Sequence, residues 1–185
     1  MKPTMFVIFL LAAAGVHAQT QTVAGSSDVV FVSEGTDFTV GLQYSADPAA
    51  TILPGIGFRV HYDSTVLEHV PVMPANPPGL ANPEGLAALS LANSDIDDNY
   101  DGDISTDSFA SILMTTLDND FPATIDPLYS LTFRPLPGLS VAGGSTTINI
   151  TPTAIAPGHT FVGRSIDIVL GTPSMLPFKD GFESN

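Results

Sequence analysis

Alternation of apolar and polar side chains between residues 57 and 62 is the feature that most restricts how this chain can fold. Three apolar residues alternate with two polar ones: Phe58, Arg59, Val60, His61 and Tyr62. A two-residue period is typical of a β-strand with one buried face. The pattern predicts a strand whose apolar side chains enter a core and whose Arg59 and His61 lie on a polar, exposed face.

Similar β-rich runs recur along the chain, and helical periodicity is nearly absent. Sixteen glycines and 16 prolines separate the runs, which is the punctuation expected of an all-β sandwich or barrel. The sequence predicts about nine strands: Val29–Val32, Phe38–Tyr44, Gly57–Tyr62, Leu67–Val72, Gly85–Leu91, Phe109–Leu117, Leu128–Pro135, Thr146–Thr151 and Ser165–Leu170.

The first 18 residues have the form of an export signal. Lys2 gives a positive start, residues 5–15 are apolar, and Val16-His17-Ala18 places small residues at a cleavage position. Eleven apolar residues are too few to span a bilayer, which needs about 20. We expect cleavage after Ala18 and a secreted or cell-surface protein, with the periplasm as an alternative and no membrane insertion after signal removal.

The chain is strongly acidic and has no cysteine. Nineteen Asp and Glu oppose five Lys and Arg, for a net charge of −14. Such a surface repels phosphate backbones and anionic lipid, so nucleic acid and membrane surfaces are excluded as partners. Cations or a basic partner suit it, and the alternative is that the charge serves solubility. Without disulfides, the fold depends on its core or on a bound ion.

Six aspartates crowd the segment 95–107, and part of it has the spacing of a calcium loop. Oxygen-bearing residues Asp97, Asn99 and Asp101 fall at positions 1, 3 and 5, and Gly102 at position 6 permits a sharp turn. A divalent cation would relieve the repulsion among the clustered carboxylates. The candidate calcium ligands are Asp97, Asn99, Asp101, Asp103 and Asp107.

The loop departs from the helical calcium motif at position 12, where Ser108 cannot supply a bidentate carboxylate. Asp107 is the candidate substitute, and strands rather than helices flank the loop. Two alternatives remain open. The aspartates form a solvated turn that bonds only local amides, or they act in catalysis.

Motifs for catalysis are otherwise missing, so the sequence predicts a protein that is not an enzyme. There is no Gly-x-Ser-x-Gly motif and no zinc-binding histidine pair. We interpret His61, His69 and His159 as surface residues. Trp is absent, and Tyr100 is the candidate platform for stacking a sugar ring. Phe121 is either a second exposed ring or a plug over the sandwich end.

Residues Gly57 to Glu68 resemble the corresponding segment of cohesin domains. In that family a glycine-led strand ends in Tyr-Asp and is followed by Val-Leu-Glu, as Tyr62-Asp63 and Val66-Leu67-Glu68 are here. The resemblance implies a jelly-roll β-sandwich that binds dockerin domains through one sheet face. The acidic segment is itself similar to half of a dockerin calcium repeat.

Together these features predict four parts of the chain: a signal peptide (1–18), an N-terminal linker (19–26), a cohesin-like sandwich (27–171) and a tail (172–185). The predicted function is a secreted, non-catalytic binding module with a structural calcium site. Its expected partner is a dockerin-like or other secreted protein. The alternative is a polysaccharide-binding module.

Overall fold

The computed structural model describes residues 19–49, 53–71, 86–92, 99–116, 121–141 and 143–171. These residues form eleven strands and one short helix. In chain order they are β1 (Gln19–Gly25), β2 (Val29–Val32), β3 (Phe38–Asp47), β4 (Gly55–Tyr62), β5 (Leu67–Val70), β6 (Leu86–Ala92), β7 (Ser108–Thr115), β8 (Thr124–Pro135), α1 (Gly138–Val141), β9 (Ser145–Ala154), β10 (His159–Gly163) and β11 (Ile166–Leu170).

The strands form two sheets that pack face to face. One sheet has five strands in the order β10-β1-β3-β8-β5, and the other has six in the order β2-β11-β9-β4-β7-β6. Most neighbours are antiparallel, while β1 pairs with β10 and β2 with β11 in parallel. The predicted β-sandwich is therefore confirmed.

The core lies between the sheets and is built from the alternating apolar positions. Phe58 and Val60 of β4 are fully buried, as is Phe133 of β8. The Tyr62 ring meets the Phe133 ring across the core with centroids 5.2 Å apart. Burial of each large apolar side chain stabilises the fold by about 1.5–3 kcal/mol, so the apolar side chains between the two sheets stabilise a fold that has no disulfide.

The predicted linker at residues 19–26 is wrong, because residues 19–25 form β1 inside the five-stranded sheet. Val23 and Gln21 of this strand are both completely buried. The Gln21 amide donates to the Tyr44 hydroxyl at 2.9 Å, and its oxygen accepts the Ala156 backbone N–H at 2.6 Å. The polar residues of this strand gave no sign of burial in the sequence. The hydrogen-bond partners that allow Gln21 to be buried lie far from it along the chain.

The strand count exceeds the predicted nine because β1 and β10 were not expected. The predicted strand Gly85–Leu91 does form, as β6 (Leu86–Ala92), and it pairs with β7. The predicted signal peptide (1–18) and tail (172–185) lie outside the described residues. The described part of the chain contains no helix long and apolar enough to cross a membrane.

Candidate functional site

The outer face of the six-stranded sheet carries the polar positions of the alternating strands. Arg59 of β4 lies opposite Thr151 of β9, and His61 lies opposite Asn149 of β9 and Phe109 of β7. Directly paired residues share a face of the sheet. These side chains consequently form one continuous surface, which we call the β4/β9 face.

Residues 99–107, the described part of the acidic segment, fold back over this surface, and we call them the acidic loop. The Arg59 guanidinium carbon lies 3.9 Å from the centre of the Tyr100 ring. The same ring packs edge-on against Phe109 with centroids 5.8 Å apart. Tyr100 remains 46% exposed, but one of its faces is occupied by the guanidinium. A sugar ring stacking there would have to displace Arg59 or use the opposite face.

Asp101 fastens the acidic loop to β9. Its Oδ2 accepts hydrogen bonds from the Thr106 hydroxyl at 2.6 Å and from the Asn149 amide at 3.0 Å. Its Oδ1 accepts the backbone N–H of Asp103 at 3.1 Å. The Asp101 side chain is only 1% exposed. A buried carboxylate requires such partners, so this contact fixes the position of the loop.

His61 is completely buried, so its interpretation as a surface histidine is wrong. Its Nε2 lies 2.7 Å from the Thr151 hydroxyl, and its Nδ1 lies 4.0 Å from Asp101 Oδ2. The acidic loop covers a strand face that alternation alone marks as solvent-facing. The order hydroxyl, imidazole, carboxylate resembles a catalytic triad. However, the imidazole and carboxylate are both closed to solvent, and 4.0 Å is too long for a direct hydrogen bond.

His159 was also interpreted as a surface residue and is instead buried, with 8% exposure. Its Nδ1 lies 3.3 Å from the Pro157 carbonyl oxygen. Phe121 is 2% exposed, and its ring packs edge-on against Tyr44 at 5.4 Å. Of the two alternatives for Phe121, the plug is the one that the structure supports.

Asp103 belongs to the same hydrogen-bonded cluster as Asp101 and Asn149. Its Oδ1 accepts the Ser105 hydroxyl at 2.7 Å and the Ser105 backbone N–H at 2.9 Å. Its Oδ2 is 3.3 Å from the Asn149 amide nitrogen. Hydrogen bonds from the Ser105 hydroxyl and then from its N–H lower the pKa of Asp103 below the ordinary value. Asp101 and Asp103 therefore share Asn149 as a donor.

The remaining predicted ligands behave differently from one another. Asp107 binds the neighbouring β4–β5 turn, where its two oxygens accept the Ser64 N–H and hydroxyl, each at 2.6 Å. Asn99 has a left-handed backbone with φ of 43°, and its Oδ1 is buried without a hydrogen-bond partner. Asp97 lies outside the described residues. The structure thus brings Asp101 and Asp103 together and ties Asp107 to Ser64.

The oxygens of the acidic loop fit a calcium ion only in part. The unpartnered Asn99 Oδ1 is the kind of oxygen that a hard cation takes. Against this, the Asp103 carbonyl, which falls at position 7, accepts the Thr106 hydroxyl at 2.8 Å and its N–H at 3.2 Å. Within the described residues, no three His, Asp or Glu side chains are grouped so that they could hold a metal. Calcium stays a prediction.

Sequence reasoning missed the roles of Arg59 and Asn149, which contact the acidic loop, and of Thr151, which bonds to the His61 imidazole. Their local signal was visible, since Asn149 and Thr151 alternate with buried Ile148 and Ile150. What the sequence did not reveal is that β9 lies beside β4 and under the loop.

The far end of the β4/β9 face is apolar. Leu113 of β7 is 44% exposed and Ile155, just after β9, is 41% exposed. Both line a shallow cleft of about 130 Å³ together with Pro54 and Gly55. Exposed apolar side chains around a cleft are typical of a surface that binds another molecule.

Two packed sheets, one of which has a loop-covered outer face, define a β-sandwich. Among solved structures the chain is similar to cohesin modules. A cohesin module of a Clostridium perfringens family 33 glycoside hydrolase gives a TM-score of 0.52 at 13% identity, covering 83% of this chain and 96% of that one. A type I cohesin from a Clostridium thermocellum cohesin–dockerin complex gives 0.50 at 16% identity, covering 82% and 94%.

A type II cohesin domain from the cellulosome of Acetivibrio cellulolyticus also gives a TM-score of 0.50, at 12% identity, covering 81% of this chain and 95% of that one. These likenesses show that the chain has a cohesin-like fold, as its Gly57–Glu68 segment predicted. No protein-family model matches the chain, and a search of curated proteins finds no match.

Proposed function

We propose that this chain is a non-catalytic binding module that engages a protein partner through the apolar end of the β4/β9 face. The observation that carries the proposal is the cleft between Leu113 and Ile155, on a fold shared with cohesin modules. One of those modules was solved in a cohesin–dockerin complex, so a dockerin-like domain is the first partner to test.

The chemistry of this surface suits a protein better than a small ligand. The cleft is shallow and mostly apolar, whereas tight small-molecule sites enclose most of their ligand. Partly exposed apolar side chains surrounded by polar groups form the centre of many protein interfaces. The strongly negative chain would favour a partner whose contact surface is apolar at its centre and basic at its rim.

The binding test compares substitutions on the two outer faces. The immobilised chain is used to capture proteins from secreted extract of the source organism, and a purified dockerin domain serves as the defined probe. Leu113→Asp should abolish capture, because a carboxylate would be buried in the interface. Ser130→Asp, on an exposed position of β8 in the other sheet, should leave capture unchanged. Equal capture by both variants would contradict the proposed surface.

Calcium is part of the proposal as a structural ion for the acidic loop. Asp97, Asn99, Asp101 and Asp103 would hold it through oxygen atoms, and the unpartnered Asn99 Oδ1 supports this choice. A calcium ion would have to compete with Ser64 for Asp107. The ion would relieve repulsion among the clustered carboxylates and keep the loop in place beside the partner surface.

Thermal unfolding with calcium and with chelator tests this part. Calcium at 100 times its dissociation constant should add about 2.7 kcal/mol of stability, which raises the melting temperature by several degrees. Asp97→Asn should remove the shift. Asp28→Asn, which deletes an equal charge at an exposed site, should keep it. A shift that survives in Asp97→Asn would locate any calcium elsewhere.

Export is the third part of the proposal and rests on residues 1–18. Mass spectrometry of protein recovered outside the inner membrane should find a chain that begins at Gln19. Recovery of a chain that still begins at Met1 would contradict the signal peptide.

Polysaccharide binding through Tyr100 is the second candidate, and the stacked Arg59 weakens it. If Tyr100 were the platform, Tyr100→Ala would abolish retention on insoluble polysaccharide. Under the protein-binding proposal, the same variant should still capture the partner.

A further inference from the structure

A second cleft lies on the opposite side of the molecule, on the outer face of the five-stranded sheet. Its volume is about 300 Å³. The residues around it come from three neighbouring strands and from the β10–β11 connection: Thr22, Ala24, Gln43, Tyr44, Ser45, Thr124, Asp126 and Arg164. This volume is at the lower end for small-molecule sites and has room for about one sugar ring.

The floor of the cleft carries a row of hydroxyl groups. Ser45 of β3 pairs directly with Thr22 of β1 on one side and with Thr124 of β8 on the other. The three hydroxyls therefore follow the spacing of adjacent strands, about 4.8 Å. Each hydroxyl can donate one hydrogen bond and accept others. Such a row matches a ligand that is itself covered with hydroxyl groups.

A bulge in β8 places a carboxylate at one side of this row. Between two pairs of the ladder, β3 advances from Leu42 to Tyr44 while β8 advances from Tyr129 to Ile125. The two extra residues of β8 bring exposed Asp126 to the cleft. Bulges commonly redirect side chains beside binding sites, and a carboxylate there accepts hydrogen bonds from ligand hydroxyls.

Arg164 supplies a positive charge to the same cleft. Its backbone N–H donates to the Val23 carbonyl at 3.0 Å, which fixes the residue beside β1. Among the described residues, Arg134 pairs with Asp37 and Glu68, whereas Arg164 forms no salt bridge. A planar guanidinium binds a carboxylate through two parallel hydrogen bonds.

We propose that this cleft binds a sugar bearing one carboxylate, that is, a uronic acid residue of an acidic glycan. The carboxylate would meet Arg164, and the ring hydroxyls would meet Thr22, Ser45, Thr124 and Asp126. The site lies on the opposite sheet from the proposed protein surface and stands independently of it.

Calorimetric titration of the purified chain tests the proposal with three probes: trigalacturonic acid, its methyl ester and a tripeptide with a free carboxyl end. Trigalacturonic acid should bind weakly, with a dissociation constant on the order of 1 mM. The methyl ester, which keeps the hydroxyls and removes the charges, should bind about tenfold more weakly. Added salt should weaken only the acid form.

Two arginine variants separate the cleft from general electrostatics. Arg164→Gln should weaken trigalacturonic acid by about tenfold. Arg134→Gln removes the same charge from the same sheet outside the cleft and should leave binding unchanged. Ser45→Ala should weaken the acid and its ester alike. Unfolding temperatures of all variants show that they are folded.

Several results would overturn the inference. Absence of heat with trigalacturonic acid at its highest soluble concentration would exclude the site. Equal binding of the acid and its ester would exclude a role for the carboxylate. Equal weakening by the two arginine variants would show non-specific attraction. Tripeptide binding as strong as that of the sugar would show a site for peptide carboxyl ends rather than for glycans.

Discussion

The two outer faces of this sandwich carry similar polar residues, but those of one face are covered and those of the other are exposed to solvent. On the six-stranded sheet, the acidic loop covers His61, and the Asp101 side chain beside it is 1% exposed. On the five-stranded sheet, Ser45 and Asp126 remain exposed around an open cleft. Polar alternation in a strand therefore does not decide whether a residue is solvated. A distant segment decides it, by covering one face and leaving the other free.

The largest effect expected from this difference concerns one aspartate on each face. Asp101→Ala should lower the free energy of unfolding by about 2–4 kcal/mol, because the Thr106 hydroxyl and the Asn149 amide lose a buried charged acceptor. Asp126→Ala, an exposed position in the open cleft, should change it by less than about 0.5 kcal/mol. Urea unfolding measures both. Equal losses of stability in the two variants would show that Asp101 does not form a buried contact between the acidic loop and the sheet.

Arginines give the second comparison between the faces. Arg59→Ala should lower the free energy of unfolding by about 1–2 kcal/mol, since the guanidinium carbon lies 3.9 Å from the centre of the Tyr100 ring and 5.3 Å from that of Phe109. Arg134→Ala should cost measurably less, because its ion pairs with Asp37 and Glu68 are exposed to solvent. Urea unfolding of the two variants decides the order.

Arg59→Ala also sharpens the question of sugar stacking. The substitution would uncover the face of the Tyr100 ring that the Arg59 guanidinium occupies. If the variant gains retention on insoluble polysaccharide that Tyr100→Ala abolishes, Arg59 blocks a platform that the ring can form. If retention stays absent, the ring serves only to hold the loop against the sheet.

Sequence alone predicted much of this fold, because buried strands with strict alternation carry their own signal. The Phe58-to-Tyr62 pattern placed β4 correctly, and its neighbouring Tyr-Asp and Val-Leu-Glu residues indicated the cohesin-like fold. The β1 strand was missed because its residues are mostly Gln and Thr. Its place in the sheet depends on Gln21 bonding to Tyr44 and Ala156, which lie 23 and 135 residues away.

The candidate site was less predictable for the same physical reason. The crowding of Asp97, Asp101 and Asp103 indicated a special loop, and Tyr100 was correctly expected to be exposed. The attachment of the acidic loop to Arg59 and Asn149 could not be predicted, since it depends on which strands lie side by side. The burial of His61 is a consequence of that attachment, so no local pattern could have indicated it.

The smallest expected effect concerns His69, which lies on β5 of the five-stranded sheet. Its ring packs edge-on against Phe133 at 5.4 Å, and burial lowers the pKa of His69 below the ordinary value. A histidine with a lowered pKa takes up its proton more readily in the unfolded chain. The stability it supports is therefore complete above about pH 6.5 and declines as the pH falls below that value.

His69→Asn should remove this part of the pH dependence, because asparagine does not titrate. Urea unfolding at several pH values between about 7 and 5 compares the two chains over the range where histidine protonates. Carboxylates contribute equally to both chains, so the difference between the two slopes isolates His69. A slope that is identical in variant and parent would contradict a half-buried His69 with a lowered pKa. It would place this ring in contact with solvent, like the hydroxyls on the outer face of the same sheet.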